Sequence, residues 1–238
     1  ASGFDWLEGP LWVSDGNYLL FSDIPTHRVY RYQADKGVSL YLADSGYSNG
    51  LLLNKQNELV LLQSRSGKVV KMVAPLTSAK ANYQQLVSQY KGQRLNSPND
   101  GVFNRRGQLY FTDPAYGLAK QLDDPAKELN FQGVYSLAAT GQLQVLDKTL
   151  TYPNGITLSK DESTLYVGAS NPQKPAWYQY KLHKDGTVLN RKLFYQLPAA
   201  TSNSHGLPDG LKIHTDSGII FATGPNGLWL FGENGTLL

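Results

Sequence analysis

One short phrase returns along the chain, and its spacing limits what these 238 residues can fold into. A polar residue followed by glycine, just ahead of an apolar run, stands at Asn49-Gly50, Asn99-Asp100-Gly101, Asn154-Gly155 and Asp209-Gly210. The intervals between the polar residues are 50, 55 and 55. An even period of that length marks an array of equivalent supersecondary units.

Each period carries short runs of β-branched and aromatic residues separated by turn chemistry. In the first they are Leu11–Val13, Tyr18–Ser22, Arg28–Tyr32 and Val38–Leu42. The same pattern of four runs recurs in the next three periods, and three runs follow in the last. Nothing reads as a helix, although Asp124 to Leu129 could make one turn. Four antiparallel strands per repeat is the signature of a β-propeller. The reading is therefore an all-β single domain with blades at 4–44, 48–90, 97–148, 152–198 and 206–238. An ordinary sandwich also has short strands at intervals, but has no reason to place one polar-Gly step at the same phase of every unit.

Composition agrees. Charged residues are 17%, low for a helical protein, while Gly 23, Pro 12 and Tyr 15 suit strands and tight turns. The net charge of +3 comes without a basic block, so no nucleic-acid footprint is expected. No apolar run reaches the roughly 20 residues of a membrane helix. The absence of cysteine excludes disulfides and thiolate metal sites. It slightly favours an exported bacterial protein, as does an opening residue, Ala1, that is not a Met.

Asn-Gly and Asp-Gly are also the commonest hairpin signals. Here the hairpins between the first two strands of each unit fall elsewhere, at Asp15-Gly16-Asn17, Lys55-Gln56-Asn57, Arg105-Arg106-Gly107, Lys160-Asp161-Glu162 and Thr215-Asp216-Ser217. The recurrent steps precede the innermost strand, which in a propeller puts them at one mouth of the central channel. Glu8 takes the corresponding place in the first unit, before Gly9-Pro10-Leu11. Glu8, Asn99, Asn154 and Asp209 would then offer two carboxylates and two amide carbonyls to one hard divalent cation, Ca²⁺ first, with Mg²⁺, Mn²⁺ and Zn²⁺ as alternatives. Asn49 is in phase as well, but its neighbours Tyr47-Ser48 set it apart and rank it lower.

Other candidates follow from position. His205, just before Gly206-Leu207-Pro208-Asp209, could line the mouth. Tyr116, in Phe111-Thr112-Asp113-Pro114-Ala115-Tyr116-Gly117, could bond a substrate hydroxyl. The polar insertion Leu118 to Gln132 is a candidate lid or substrate wall. Gly-x-Ser-x-Gly is missing, which argues against a serine hydrolase.

Five phrases in this order resemble the senescence-marker-protein/gluconolactonase/luciferin-regenerating-enzyme-like family, and bacterial gluconolactonases most. They are Trp6-Leu7-Glu8-Gly9-Pro10-Leu11-Trp12, Leu95-Asn96-Ser97-Pro98-Asn99-Asp100, Phe111 to Gly117, Tyr152-Pro153-Asn154-Gly155 and Leu207-Pro208-Asp209-Gly210. The resemblance implies a six-bladed propeller. Only five blades can be counted, the fifth without its outer strand, so a further stretch of roughly 50–60 residues is expected beyond Leu238 by scaling from the repeat. The resemblance also implies a divalent metal on Glu8, Asn154 and Asp209, with Asn99 as fourth ligand or substrate contact and Asp209 doubling as general base. Some members carry an arginine two residues before the Asn99 position; here it is Ser97.

The expected reaction is hydrolysis of a sugar lactone: the cation polarises the ester carbonyl, and Asp209 or Asp100 takes the proton of the attacking water. The partner is a small-molecule lactone, with Asn99, Tyr116 and His205 as its contacts. A phosphotriesterase-like hydrolase using the same site and a non-catalytic propeller with a structural Ca²⁺ are the alternatives.

Overall fold

The structure, a computed structural model, describes residues 2–198 and 205–238. Its strands form antiparallel sheets in which neighbours in sequence are neighbours in space. The first sheet is β1 (Leu7–Val13), β2 (Tyr18–Asp23), β3 (Arg28–Gln33) and β4 (Gly37–Leu42). The second is β5 (Ser48–Leu53), β6 (Leu59–Gln63), β7 (Lys68–Met72) and β8 (Tyr83–Val87). A two-stranded hairpin, β9 (Gln89–Tyr90) and β10 (Gln93–Arg94), follows. The third sheet is β11 (Gly101–Phe103), β12 (Leu109–Asp113), β13 (Gly133–Leu137) and β14 (Leu143–Asp147). The fourth is β15 (Pro153–Leu158), β16 (Thr164–Ala169), β17 (Ala176–Leu182) and β18 (Val188–Gln196). The fifth has three strands, β19 (Leu211–Ile213), β20 (Ile220–Gly224) and β21 (Gly227–Phe231).

These sequential up-and-down sheets are propeller blades, and there are five of them, not the six expected. The number six came from the resemblance, whereas blade number follows from how many periods the described residues contain. The expected helical turn is also displaced. Gln121–Asp123 forms one 3₁₀ turn, and Asp124 ends it by accepting from the Lys120 and Ala126 amides at 2.8 Å each.

The chain divides into two compact units, Ala1–Gly107 with Ala115–Asn130 and Gln108–Pro114 with Phe131–Leu238. In the first, alternate residues of the first two sheets face each other. Val13, Leu20, Val29, Leu51, Leu59, Leu61, Val70 and Met72 make one buried apolar cluster. Period-2 alternation puts every second side chain on that face. In the second unit the equivalent cluster is aromatic: Phe231 meets Trp177 at 5.3 Å and Phe194 at 5.4 Å, both edge-on. Edge-to-face rings place a positive edge against a negative face, which adds to burial.

Candidate functional site

Two of the recurrent steps lie just ahead of a strand, Asn99-Asp100 before β11 and Asp209-Gly210 before β19, and the other two lie within one. Asn49-Gly50 lies inside β5 and Asn154-Gly155 inside β15, as Glu8 lies inside β1. Each marks a bulge. Ser48 and Leu51 oppose Gln63 and Leu61, and Pro153 and Ile156 oppose Ala169 and Val167, so three steps on the inner strand span two on its neighbour. Glu8 and Leu11 against Ser22 and Leu20 show the same count. A bulge redirects a side chain away from the regular pleat, and proteins use bulges beside functional sites.

The bulges also interlock from one inner strand to the next. In the first unit β1 packs beside β5 and β5 beside β11; in the second, β15 packs beside β19. The Gly50 amide donates to the Asn99 carbonyl at 2.8 Å. A Cβ on Gly50 would lie 2.6 Å from that oxygen, and one on Gly155 would lie 2.0 Å from the Asp209 carbonyl oxygen. Only glycine lets two backbones approach so closely. Hydroxyls complete the stitching: Ser22 Oγ donates to the Asn49 carbonyl at 2.9 Å, and Thr112 Oγ1 to the Asn154 carbonyl at 2.7 Å. Within each unit, therefore, the backbones of successive steps lie side by side.

Hydrogen bonding decides which atoms the steps offer. Ser170 Oγ donates its one proton to the Pro208 carbonyl. Its contact with Asn154 Nδ2, at 3.1 Å, must then be one that it accepts. That fixes the Asn154 amide and leaves Oδ1 as the acceptor it presents. Asp209, half-buried, is held by its amide on the Thr223 carbonyl at 2.9 Å. In the first unit Glu8 is half-buried and accepts from Trp6 Nε1 at 2.9 Å. Asn99 is 4% exposed and Asn49 9% exposed. Among the described residues no protein group hydrogen-bonds either side-chain amide.

The remaining candidates are placed as follows. Asp100 Oδ1 accepts from the Gly101 amide at 2.8 Å. Tyr116 is half-buried, next to Gly117, whose amide donates to Ser97 Oγ at 2.8 Å. His205 is exposed, its carbonyl accepting from the Asn226 amide at 2.7 Å. The part of the insertion in the first unit is tied down. Arg94 donates to Glu128 through its amide at 2.6 Å and to the Ala126 carbonyl through its guanidinium at 3.0 Å, and Leu129 is fully buried. This segment is thus fixed to the β9–β10 hairpin, an element that the sequence reading did not find.

Among the described residues no three His, Asp or Glu side chains form a group that could hold a metal. The predicted donor set needs no such trio, since amide oxygens supply half of it. A cleft of about 580 Å³ is lined by Asp161, Ser163, Gln179, Lys181, Asn190 and Glu233, among others. It adjoins the hairpin after β15, at the end of that strand away from Asn154, and contains none of the predicted site residues.

The sequence profile of the SMP-30/Gluconolactonase/LRE-like region matches residues 6–238. A gluconolactonase of Zymomonas mobilis is 36% identical over 253 residues, an alignment that covers 100% of this chain and 70% of that protein. The structure of a gluconolactonase from Xanthomonas campestris superposes with a TM-score of 0.83 at 31% identity, covering 99% of this chain and 75% of the other. A calcium-binding protein, regucalcin, from Agrobacterium tumefaciens shares the fold, with a TM-score of 0.75 at 15% identity over 100% of this chain and 74% of the other. With its bulged steps and a profile match over nearly the whole length, the chain belongs to the SMP-30/gluconolactonase/LRE-like family.

Proposed function

We propose that the chain is a lactonase that opens a sugar lactone by attack of water on the ester carbonyl. The observation that carries the reading is the amide of Asn154, whose nitrogen is turned to Ser170 so that its oxygen is left to a ligand, on the strand packed beside β19, which begins just after Asp209. An oriented amide oxygen suits a cation. In the second unit Asn154 and Asp209 offer oxygen donors, which suit a hard divalent ion, Ca²⁺ before Mg²⁺, Mn²⁺ or Zn²⁺. A bound ion of this kind polarises a carbonyl and makes water a better nucleophile. The regucalcin of the same fold is a calcium-binding protein, which supports the choice of ion.

The side chains of the chain do the rest. Asp209 takes the proton of the attacking water as general base. Asp100 is the weaker candidate, because one of its oxygens is already engaged by the Gly101 amide. Asn99 and Tyr116 bind substrate hydroxyls, and the insertion fixed to the β9–β10 hairpin walls the substrate. The test is hydrolysis of glucono-1,5-lactone followed by proton release, with and without prior removal of divalent ions. Turnover that chelation abolishes and Ca²⁺ restores is expected. Equal rates with and without the ion would exclude the cation from the reaction, and no turnover of any aldonolactone would exclude the lactonase reading.

A further inference from the structure

Asn49 has the local structure of Asn154. Both follow a tyrosine two residues earlier in the left-handed region, Tyr47 at φ 59° and Tyr152 at φ 53°. Each of these tyrosines accepts a backbone hydrogen bond from the serine just beyond the second strand, Ser64 at 3.1 Å and Ser170 at 2.9 Å. Both asparagines sit on the same three-against-two bulge, and both precede a glycine pressed on the next step's carbonyl. An aromatic residue held at positive φ is costly and persists where the surroundings impose it.

One detail differs, and it changes the chemistry. Ser170 locks the Asn154 amide; no side chain does the same for Asn49. Asn49 therefore keeps both its N–H donors and its carbonyl acceptor available, as does Asn99 just before the neighbouring inner strand β11. Both residues are more than nine-tenths buried, yet neither amide is sealed off completely. A cation uses only the oxygen of an amide. A hydroxyl donates one bond and accepts others, so it uses both ends.

We infer that Asn49 and Asn99 form a subsite that reads adjacent hydroxyl groups, and that Asn49 is a specificity-determining substrate contact. The inference rests on the lactonase reading for the identity of the polyol, a sugar lactone, but not for the binding chemistry. Tyr47 belongs to the same device: its ring carries the Arg65 guanidinium at 4.1 Å and His27 at 5.1 Å, which anchors the approach to Asn49.

The experiment compares Asn49→Ala and Asn49→Asp with the unchanged protein on two lactones, glucono-1,5-lactone and the unsubstituted δ-valerolactone. The ratio of their kcat/KM values should fall by about tenfold in both variants, through KM more than kcat, because a lost hydrogen bond to a hydroxyl costs about that much. The Ca²⁺ concentration giving half-maximal thermal stabilisation should stay within about twofold, whereas Asn154→Ala should raise it at least about tenfold. An unchanged lactone ratio would overturn the subsite. So would a Ca²⁺ dependence shifted as far as in Asn154→Ala, which would make Asn49 a cation ligand. If the protein turns over neither lactone, the lactonase reading fails and the subsite is judged by binding of the neutral polyol glucitol, observed by NMR. Binding weakened by Asn49→Ala supports it; no binding, or binding unaffected by the substitution, overturns it.

Discussion

Asn49 and Asn54 bracket one strand, β5, and the chain treats them in opposite ways. Asn54 is saturated. Its Oδ1 accepts from the Gln56 and Glu58 amides at 3.0 and 2.9 Å, and its Nδ2 donates to Glu58 Oε2 at 2.7 Å. Asn49 is more deeply buried and is bonded only through its backbone. The fourth blade repeats the contrast: beyond one end of β15, Asp161 accepts from Ser159 Oγ at 2.6 Å and from the Ser163 amide and Oγ at 3.0 and 2.8 Å. At the other end, Asn154 has its nitrogen fixed and its oxygen left over. Burying a polar group without a partner costs free energy. The proposed site lies at the end of the inner strands where this cost is accepted, not at the end where it is avoided.

The largest effect that would sharpen this contrast is on turnover. Asp209→Asn should lower kcat on glucono-1,5-lactone by roughly 10²–10⁴, the usual contribution of a positioned base. A loss under tenfold would move the base elsewhere. Next comes the interlock that brings the steps together. Gly155→Ala places a methyl 2.0 Å from the Asp209 carbonyl oxygen and should cost about 3 kcal/mol in urea unfolding. A cost under about 1 kcal/mol would mean that the inner strands are less tightly coupled than described.

Smaller effects separate orientation from binding. Ser170→Ala frees the Asn154 amide to rotate and should weaken Ca²⁺ binding by about tenfold, as expected when the group orienting a ligand is removed. The two asparagines of β5 should diverge in stability. Asn54→Ala should destabilise by about 1 kcal/mol, whereas Asn49→Ala should be neutral or stabilising, because it removes a buried group with no partner. Similar losses in both variants would erase the contrast.

The smallest effect concerns pH. Bonds from Ser159 and Ser163 depress the Asp161 carboxyl to about 2. A group whose folded value lies below its unfolded one stabilises fully above the unfolded pKa, and this is lost as pH falls through the folded value. Asp161→Asn should therefore flatten the pH dependence of melting between about pH 4 and 2, while lactone turnover at neutral pH is unchanged.

Much of this was legible in the residues. The strands follow from period-2 runs, and nearly all begin and end within a few residues of the expected places. The polar-Gly period located the step residues before any coordinates. What the sequence hid was register. Asn-Gly is written the same way in a hairpin turn and in a bulge, and only pairing with β6 and β16 separates them. The β9–β10 hairpin is too short for periodicity to register. Tyr47-x-Asn49-Gly50 and Tyr152-x-Asn154-Gly155 share their outline, but the shared tyrosine gains meaning only from its positive φ, which the sequence does not show. Ser170 could not be found at all, because its role depends on a proton shared across 38 residues with Pro208. The five blades were countable in the sequence; only the six-bladed type, which came from the resemblance, is not found.

The most direct measurement is equilibrium Ca²⁺ titration of the purified, chelator-stripped protein, repeated on Asn154→Ala and Asp209→Asn. One ion bound per chain, with affinity at least about tenfold weaker in each variant, is the predicted result. No saturable binding, or binding of equal strength in all three proteins, would contradict the assignment of Asn154 and Asp209 as cation donors.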